Sequence, residues 1–199
     1  MKILITGGLG FIGARVVKKF TDSGATITVL DNTIPKNGSR VPDSNFVKVD
    51  LTKSELIQKI KVGKQDLVIH LAGPSSGPAS SKDPLGTIVK SYSSTINVLD
   101  LAHRCSAKRF LFASSMVVYG NTLSPEKPVG EMSRCEPISH YGIAKFASES
   151  LIRSFCEQNG IGYNLLRLFN VYGPGQDLDR KDQGLVSIFI ALLLMKEFH

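Results

Sequence analysis

The run Thr6-Gly7-Gly8-Leu9-Gly10-Phe11-Ile12-Gly13 follows the apolar residues Ile3-Leu4-Ile5 and opens an amphipathic stretch; nothing else in the chain restricts the fold as much. A strand that meets glycines at this spacing turns sharply and enters a helix. Gly7 lets the chain leave the strand, Gly10 leaves room for a ligand against the backbone, and Gly13 lets the helix pack close to the sheet. Unpaired N–H groups and the helix dipole favour an anion at that helix start. The spacing GxxGxxG is a relative of the dinucleotide-binding GxGxxG, and its place between strand and helix is what pyrophosphate binding demands.

The rest of the chain alternates the same two kinds of segment. Periodicity predicts strands over 2–6, 26–31, 46–49, 66–72, 109–113 and 163–168, and helices over 11–21, 53–60, 84–105, 141–158 and 185–195. A loop carries Pro35, Gly38 and Pro42. Apolar strands separated by helices indicate a parallel sheet covered on both faces. The fold class is therefore α/β, a doubly wound sheet of Rossmann type, with its ligand at the carboxyl ends of the strands. At 199 residues the chain has length for one good core.

Composition narrows the partners. The net charge is +7, but Lys and Arg are scattered singly or in pairs such as Lys18-Lys19 and Lys108-Arg109, and there is no Trp. Without a basic stripe interleaved with aromatics, nucleic acid is not an expected partner. A phosphate-bearing substrate or plain solvation accounts for the charge. Cys105, Cys135 and Cys156 have no CxxC spacing, which suggests reduced thiols in a cytoplasmic protein, with no disulfide framework or metal site. The apolar run 185–195 falls short of the about 20 residues that cross a bilayer, so a packed helix is expected and no membrane partner.

Two further segments carry chemistry. Tyr141 and Lys145 stand one turn apart on an expected helix and share a face. A phenol with a pKa near about 10 is a poor base at neutral pH, and a close ammonium should lower that value, as would the positive ring of an oxidised nicotinamide. Tyr141 could then take a proton from a sugar hydroxyl; the plain alternative is a surface Tyr–Lys pair. The strand Phe110-Leu111-Phe112-Ala113 ends in Ser114-Ser115, where Ser115 either aligns a reacting oxygen with Tyr141 or caps its own turn. Asp31 closes the second strand, where a carboxylate accepts from ribose hydroxyls and repels a 2′-phosphate, favouring NAD over NADP. It could equally cap the strand end. Asp50, ahead of Leu51, reads as a partner for the adenine amino group or as a helix N-cap.

Taken in order, these residues resemble the extended short-chain dehydrogenase/reductase family, in particular its NAD-dependent nucleotide-sugar epimerases and dehydratases. The resemblance runs through TGGLGFIG, Asp31-Asn32, Asp50-Leu51, His70-Leu71-Ala72-Gly73, Ser114-Ser115 with Val118-Tyr119-Gly120, Tyr141-Gly142-Ile143-Ala144-Lys145 and Arg167 to Gly175. It implies a catalytic set of Ser115, Tyr141 and Lys145, with Tyr141 and Lys145 also at the cofactor and Ser115 and Asn170 at the substrate. It implies an NAD site built on Gly7, Gly10, Phe11, Ile12, Gly13, Asp31, Asn32, Asp50, Leu51, Leu71, Ala72 and Gly73. The substrate class it implies is a nucleotide-sugar, UDP-linked by the NVYGPG ending, and the reaction a 4-epimerisation. A sugar or alcohol dehydrogenase and a non-catalytic NAD-binding fragment are the alternatives.

Four departures accompany the resemblance. Dehydratases of the family carry Asp-Glu after the catalytic hydroxyl and the decarboxylases a Glu, where this chain has Met116-Val117. Ser91 stands where Asn is usual and Ser93-Ser94-Thr95 where Gly-Thr is usual. The loop 74–78 lacks the customary basic or bulky residue. Relatives of this kind run well past this length, so residues 1–199 are expected to form the NAD-binding domain, with about 170–199 opening a substrate lobe that is mostly absent. A homodimer through 84–105 and 141–158 is a further implication.

Overall fold

Ile3, Leu4 and Ile5 are all fully buried. Alternate side chains leave a strand on opposite faces, so this strand has to be covered on both. It is β1 (Lys2–Thr6), and it sits inside a six-stranded sheet with β2 (Thr26–Asp31), β3 (Ser44–Lys48), β4 (Leu67–His70), β5 (Arg109–Ser115) and β6 (Gly162–Leu168). The computed structural model describes residues 1–33, 44–74, 77–122, 126, 128–177 and 185–196. All neighbouring strands are parallel, in the order β3-β2-β1-β4-β5-β6.

Helices cover both faces. α1 (Phe11–Asp22) places Val17 over Ile3, Ile5, Ile27, Val29 and Ile69. On the other face α4 (Pro84–Arg104) and α5 (His140–Gln158) bring Val98, Leu101 and Ile152 onto Leu4, Val68, Phe110 and Phe112. Asp83 starts α4 by accepting the Gly86 N–H at 3.0 Å, with Pro84 just inside. Ser139 starts α5 in the same way, accepting from Gly142 at 3.0 Å. The shorter helices are α2 (Ser54–Ile57), α3 (Gly77–Lys82) and the apolar α6 (Leu185–Lys196). Among the described residues no helix is long and apolar enough to cross a membrane.

The chain winds outward from β1 to β3 and then back across to β4, so strand order reverses between β1 and β4 and a crevice opens at their carboxyl ends. There β4 stops two residues before the expected end. Leu71 still donates to the Thr6 carbonyl at 3.1 Å, but Ala72 donates to the Thr6 hydroxyl at 3.3 Å, a side chain taking the place of the next ladder bond. α2 is shorter than expected because Lys59 and Ile60 bond to carbonyls three residues back, at 3.2 and 3.1 Å, and tighten the last turn. Two further differences lengthen or add elements. β5 runs on to Ser115 and is followed by a 3-10 turn, Met116–Val118, while α3 occupies part of the segment expected as loop. β6 also departs from the expectation of strands buried on both faces: Asn164 and Leu166 are exposed. The loop with Pro35, Gly38 and Pro42, and Ser75-Ser76, lie outside the described residues.

Candidate active site

At the mouth of the crevice Gly7 adopts φ +68°, and a Cβ there would lie 2.7 Å from the Ala72 nitrogen. Gly10 donates to the Gly7 carbonyl at 3.1 Å and caps α1 without a side chain, leaving the first-turn N–H groups without a covering group of its own. A Cβ on Gly13 would overlap the Gly7 carbonyl, which is why helix and turn can pack this closely. The turn is thus a cradle with no side chain between backbone and ligand, and it fits a dinucleotide pyrophosphate.

From this cradle a cleft of about 880 Å³ runs across the sheet ends. The structure brings together along it every residue expected at the site: Gly7, Gly10, Phe11, Ile12, Gly13, Asp31, Asn32, Asp50, Leu51, Leu71, Ala72, Gly73, Ser115, Tyr141, Lys145 and Asn170. Asp31, at the end of β2, is buried. Its carboxylate accepts the Leu9 N–H at 3.0 Å and the N–H and hydroxyl of Thr33, each at 3.1 Å. It therefore fastens the glycine turn and its own strand end while still bordering the cleft. Asp50 accepts the N–H and hydroxyl of Thr52 at 2.9 and 2.7 Å. These two bonds hold its carboxyl below the usual carboxylate range, with Lys53 and Lys90 adding to the effect. The N-cap alternative for Asp50 fails, because α2 begins after Lys53.

At the far end β5 delivers Ser115 and α5 delivers Tyr141 and Lys145. Ser115 Oγ accepts the Val117 N–H at 3.4 Å and so caps its turn, and Ser115 borders the same cleft as the Tyr141 phenol. Lys145 is buried, donates to the Ala113 carbonyl at 2.8 Å, and has its Nζ 4.6 Å from the Phe112 ring centre and 5.7 Å from that of Tyr141. The expected lowering of the Tyr141 pKa by Lys145 does not occur. Burial raises the phenol above its ordinary value, the Ser115 hydroxyl opposes that rise, and Lys145 directs its ammonium at a carbonyl. Burial likewise brings Lys145 down to about 8, against the pull of Glu149.

Sequence reasoning missed several groups that hold this site. His70 is buried between Thr6, at 2.7 Å from Nδ1, and Thr95, at 3.4 Å from Nε2, with Phe110 and Phe112 beside the ring. Asn97 donates to the Leu51 carbonyl at 2.8 Å and so fixes the Asp50–Leu51 segment to α4. Glu149 pairs with Arg167 at 2.8 Å behind Tyr141 and Lys145. Thr33, Lys90, Ser94 and Gln176 border the cleft. A polar residue inside an apolar helical stretch, such as Asn97, was the available signal. The segment after β6 remains open, with Phe169 and Tyr172 exposed beside Asn170.

Comparison with known proteins agrees with this geometry. A Methanocaldococcus jannaschii protein, provisionally named a UDP-glucose 4-epimerase, is 34% identical over 98% of this chain and 64% of its own length. UDP-glucuronic acid decarboxylase 3 of Arabidopsis thaliana is 33% identical over 99% of this chain and 58% of its own. The structure of UDP-glucose 4-epimerase from Thermotoga maritima with UDP-glucose superimposes with a TM-score of 0.87 at 32% identity, covering 95% of this chain and 62% of that one. The chain thus spans between 58% and 64% of the length of these three proteins. The family model for the NAD dependent epimerase/dehydratase family matches residues 3–197, and the chain belongs to that family.

Proposed function

We propose that this chain carries the cofactor-binding and proton-transfer half of an NAD-dependent nucleotide-sugar 4-epimerase acting on a UDP-hexose or UDP-uronate. The observation that carries the reading is that Ser115, Tyr141 and the buried Lys145 line one cleft with the glycine cradle. When bound, NAD supplies a hydride acceptor for the sugar C4 carbon and a donor for the return. The cradle of Gly7, Gly10 and the start of α1 receives the pyrophosphate, Asp31 and Asn32 the adenosine ribose, and Asp50 with Leu51 the adenine. Tyr141 takes the C4 hydroxyl proton and later gives it back, while Ser115 hydrogen-bonds the same oxygen and holds it against the phenol. Lys145 holds the nicotinamide ribose through its ammonium N–H groups. Asn170 contacts the nucleotide-sugar, and rotation of the 4-keto sugar exposes its other face.

Epimerisation is favoured over elimination by Met116 and Val117. They border the cleft directly after Ser115, where the resemblance puts carboxylates in dehydratases and decarboxylases, and neither side chain can give or take a proton. The reading includes a homodimer. Leu85, Val89, Tyr92 and Ile96 form a stripe at helical spacing along α4, with Leu85 77% and Val89 61% exposed. Free Cys105, Cys135 and Cys156 fit a cytoplasmic setting.

The test is to incubate the chain with NAD and UDP-galactose or UDP-galacturonate, then resolve the epimers chromatographically while following absorbance at 340 nm. An epimer formed without net NADH supports the proposal. NADH accumulating with product means a dehydrogenase, and a chain that binds no NAD carries no cofactor half; either outcome refutes it.

A further inference from the structure

Glu149 lies one helical turn beyond Lys145 on α5, is 1% exposed, and touches two other elements at once. Its carboxylate accepts from Ser114 Oγ of β5 at 2.5 Å. From β6 it accepts the Arg167 Nε at 3.1 and 3.3 Å and Nη2 at 2.8 Å, a two-pronged grip that fixes its orientation. Arg167 is itself held, lying 4.9 Å over the Tyr119 ring and donating to the Glu131 carbonyl at 3.2 Å.

Stability alone is a weak reason for this arrangement. Taking a carboxylate and a guanidinium out of water costs several kcal/mol per ion by rough estimate, and apolar packing of similar volume often does as well. What the pair does accomplish is to fix the Glu149 carboxylate on the same helix face as Lys145, with Arg167 on other oxygen lone pairs. The other groups around that ammonium are not anionic. Tyr141 faces it from α5, His70 from β4, the Phe112 ring and the Ala113 carbonyl from β5, while Arg167 and Cys135 lie against Glu149.

We propose that Glu149 is a positioning residue of this site, held in place by Ser114 and Arg167 so that its charge keeps the buried Lys145 a cation. Burial otherwise drains that charge, and Lys145 needs it to offer three N–H donors to the cofactor ribose. The direction of the Glu149 effect on Lys145, opposite to that of burial, agrees with this role. The proposal takes the role of Lys145 from the epimerase reading, but its test reads proton binding and leaves turnover aside.

The experiment is an NMR titration of the 199-residue chain carrying 13Cε-labelled lysine, with the Lys145 signal assigned by its loss in Lys145→Arg. Glu149→Gln keeps the size and an acceptor for Ser114 while removing the charge. The expected result is a Lys145 pKa lower by about one unit or more. Should the single variant leave Arg167 unpaired and fail to fold, Glu149→Gln with Arg167→Gln removes both charges, and a smaller downward shift is expected because a cation leaves with the anion. A folded variant, single or double, whose Lys145 titrates as in the wild type overturns the proposal and leaves Glu149 a structural residue. A chain that binds NAD without epimerising a sugar leaves the test intact.

Discussion

Acid should weaken this protein through His70 before it touches the surface carboxylates. The imidazole is 1% exposed, and burial first, then the Lys145 charge, lowers its pKa from 6.5 to about 3. Between those values the unfolded chain binds a proton that the folded chain refuses, so stability rises with pH across the window and is lost as pH falls. Each pH unit inside it is worth about 1.4 kcal/mol, so pH 4.5 costs about 3 kcal/mol and the whole window about 5. Against a total of about 5–15 kcal/mol for a typical domain, that loss is large. The assay is urea unfolding by circular dichroism at pH 7.5, 6, 5 and 4.5, for wild type and His70→Gln. At pH 7.5 the variant should be weaker by about 1–3 kcal/mol, having lost the ring packed beside Phe110 and Phe112. As pH falls the gap should close, because Gln has nothing to protonate, while the Asp50 and Asp66 contributions, lost only further into acid, are common to both proteins. Two stability curves that stay parallel down to pH 4.5 would refute the reasoning.

Three other outcomes are expected. Tyr141→Phe should cut epimerisation by about 100-fold to 10,000-fold with NAD affinity nearly unchanged, and an unaltered rate removes the phenol from the chemistry. Gly10 has φ −71° and ψ 174°, a conformation open to any residue, and a Cβ there would sit 3.3 Å from the Gly7 carbonyl, so Gly10→Val should fold with a small local shift yet bind NAD at least about 100-fold more weakly by calorimetry, because a side chain now stands at the cradle. Gly13→Ala should lower the melting temperature of the free chain, since its methyl meets the Gly7 carbonyl; an unchanged midpoint would mean that the turn yields without cost.

Much of the fold was legible because its strands are short apolar runs and α1 and α4 carry a clear polar face. The glycine turn, Tyr141 with Lys145, and Ser115 could be found because each lies within a local spacing that its chemistry dictates. What escaped was tertiary. Glu149 looks like any helix glutamate until Arg167 of β6 and Ser114 of β5 are seen to close on it. The Tyr141 pKa was read from the helix alone, whereas burial by the surrounding elements decides its direction. α3 went unseen because Gly77-Pro78 reads as a turn, and the end of β4 depends on a bond from Ala72 N–H to a hydroxyl on another strand.

The bond from Leu9 to Asp31 has a consequence for anyone wishing to redirect this site from NAD to NADP. The usual substitution removes the carboxylate so that a 2′-phosphate is no longer repelled. Here the same oxygen anchors the glycine turn, so Asp31→Ala would alter the phosphate cradle along with the preference, and a loss of affinity for both cofactors would be misread as failed recognition. Asp31→Asn discards the charge but keeps a carbonyl oxygen for the Leu9 N–H. Coenzyme redesign at this position therefore begins from asparagine, with a cation added nearby afterwards.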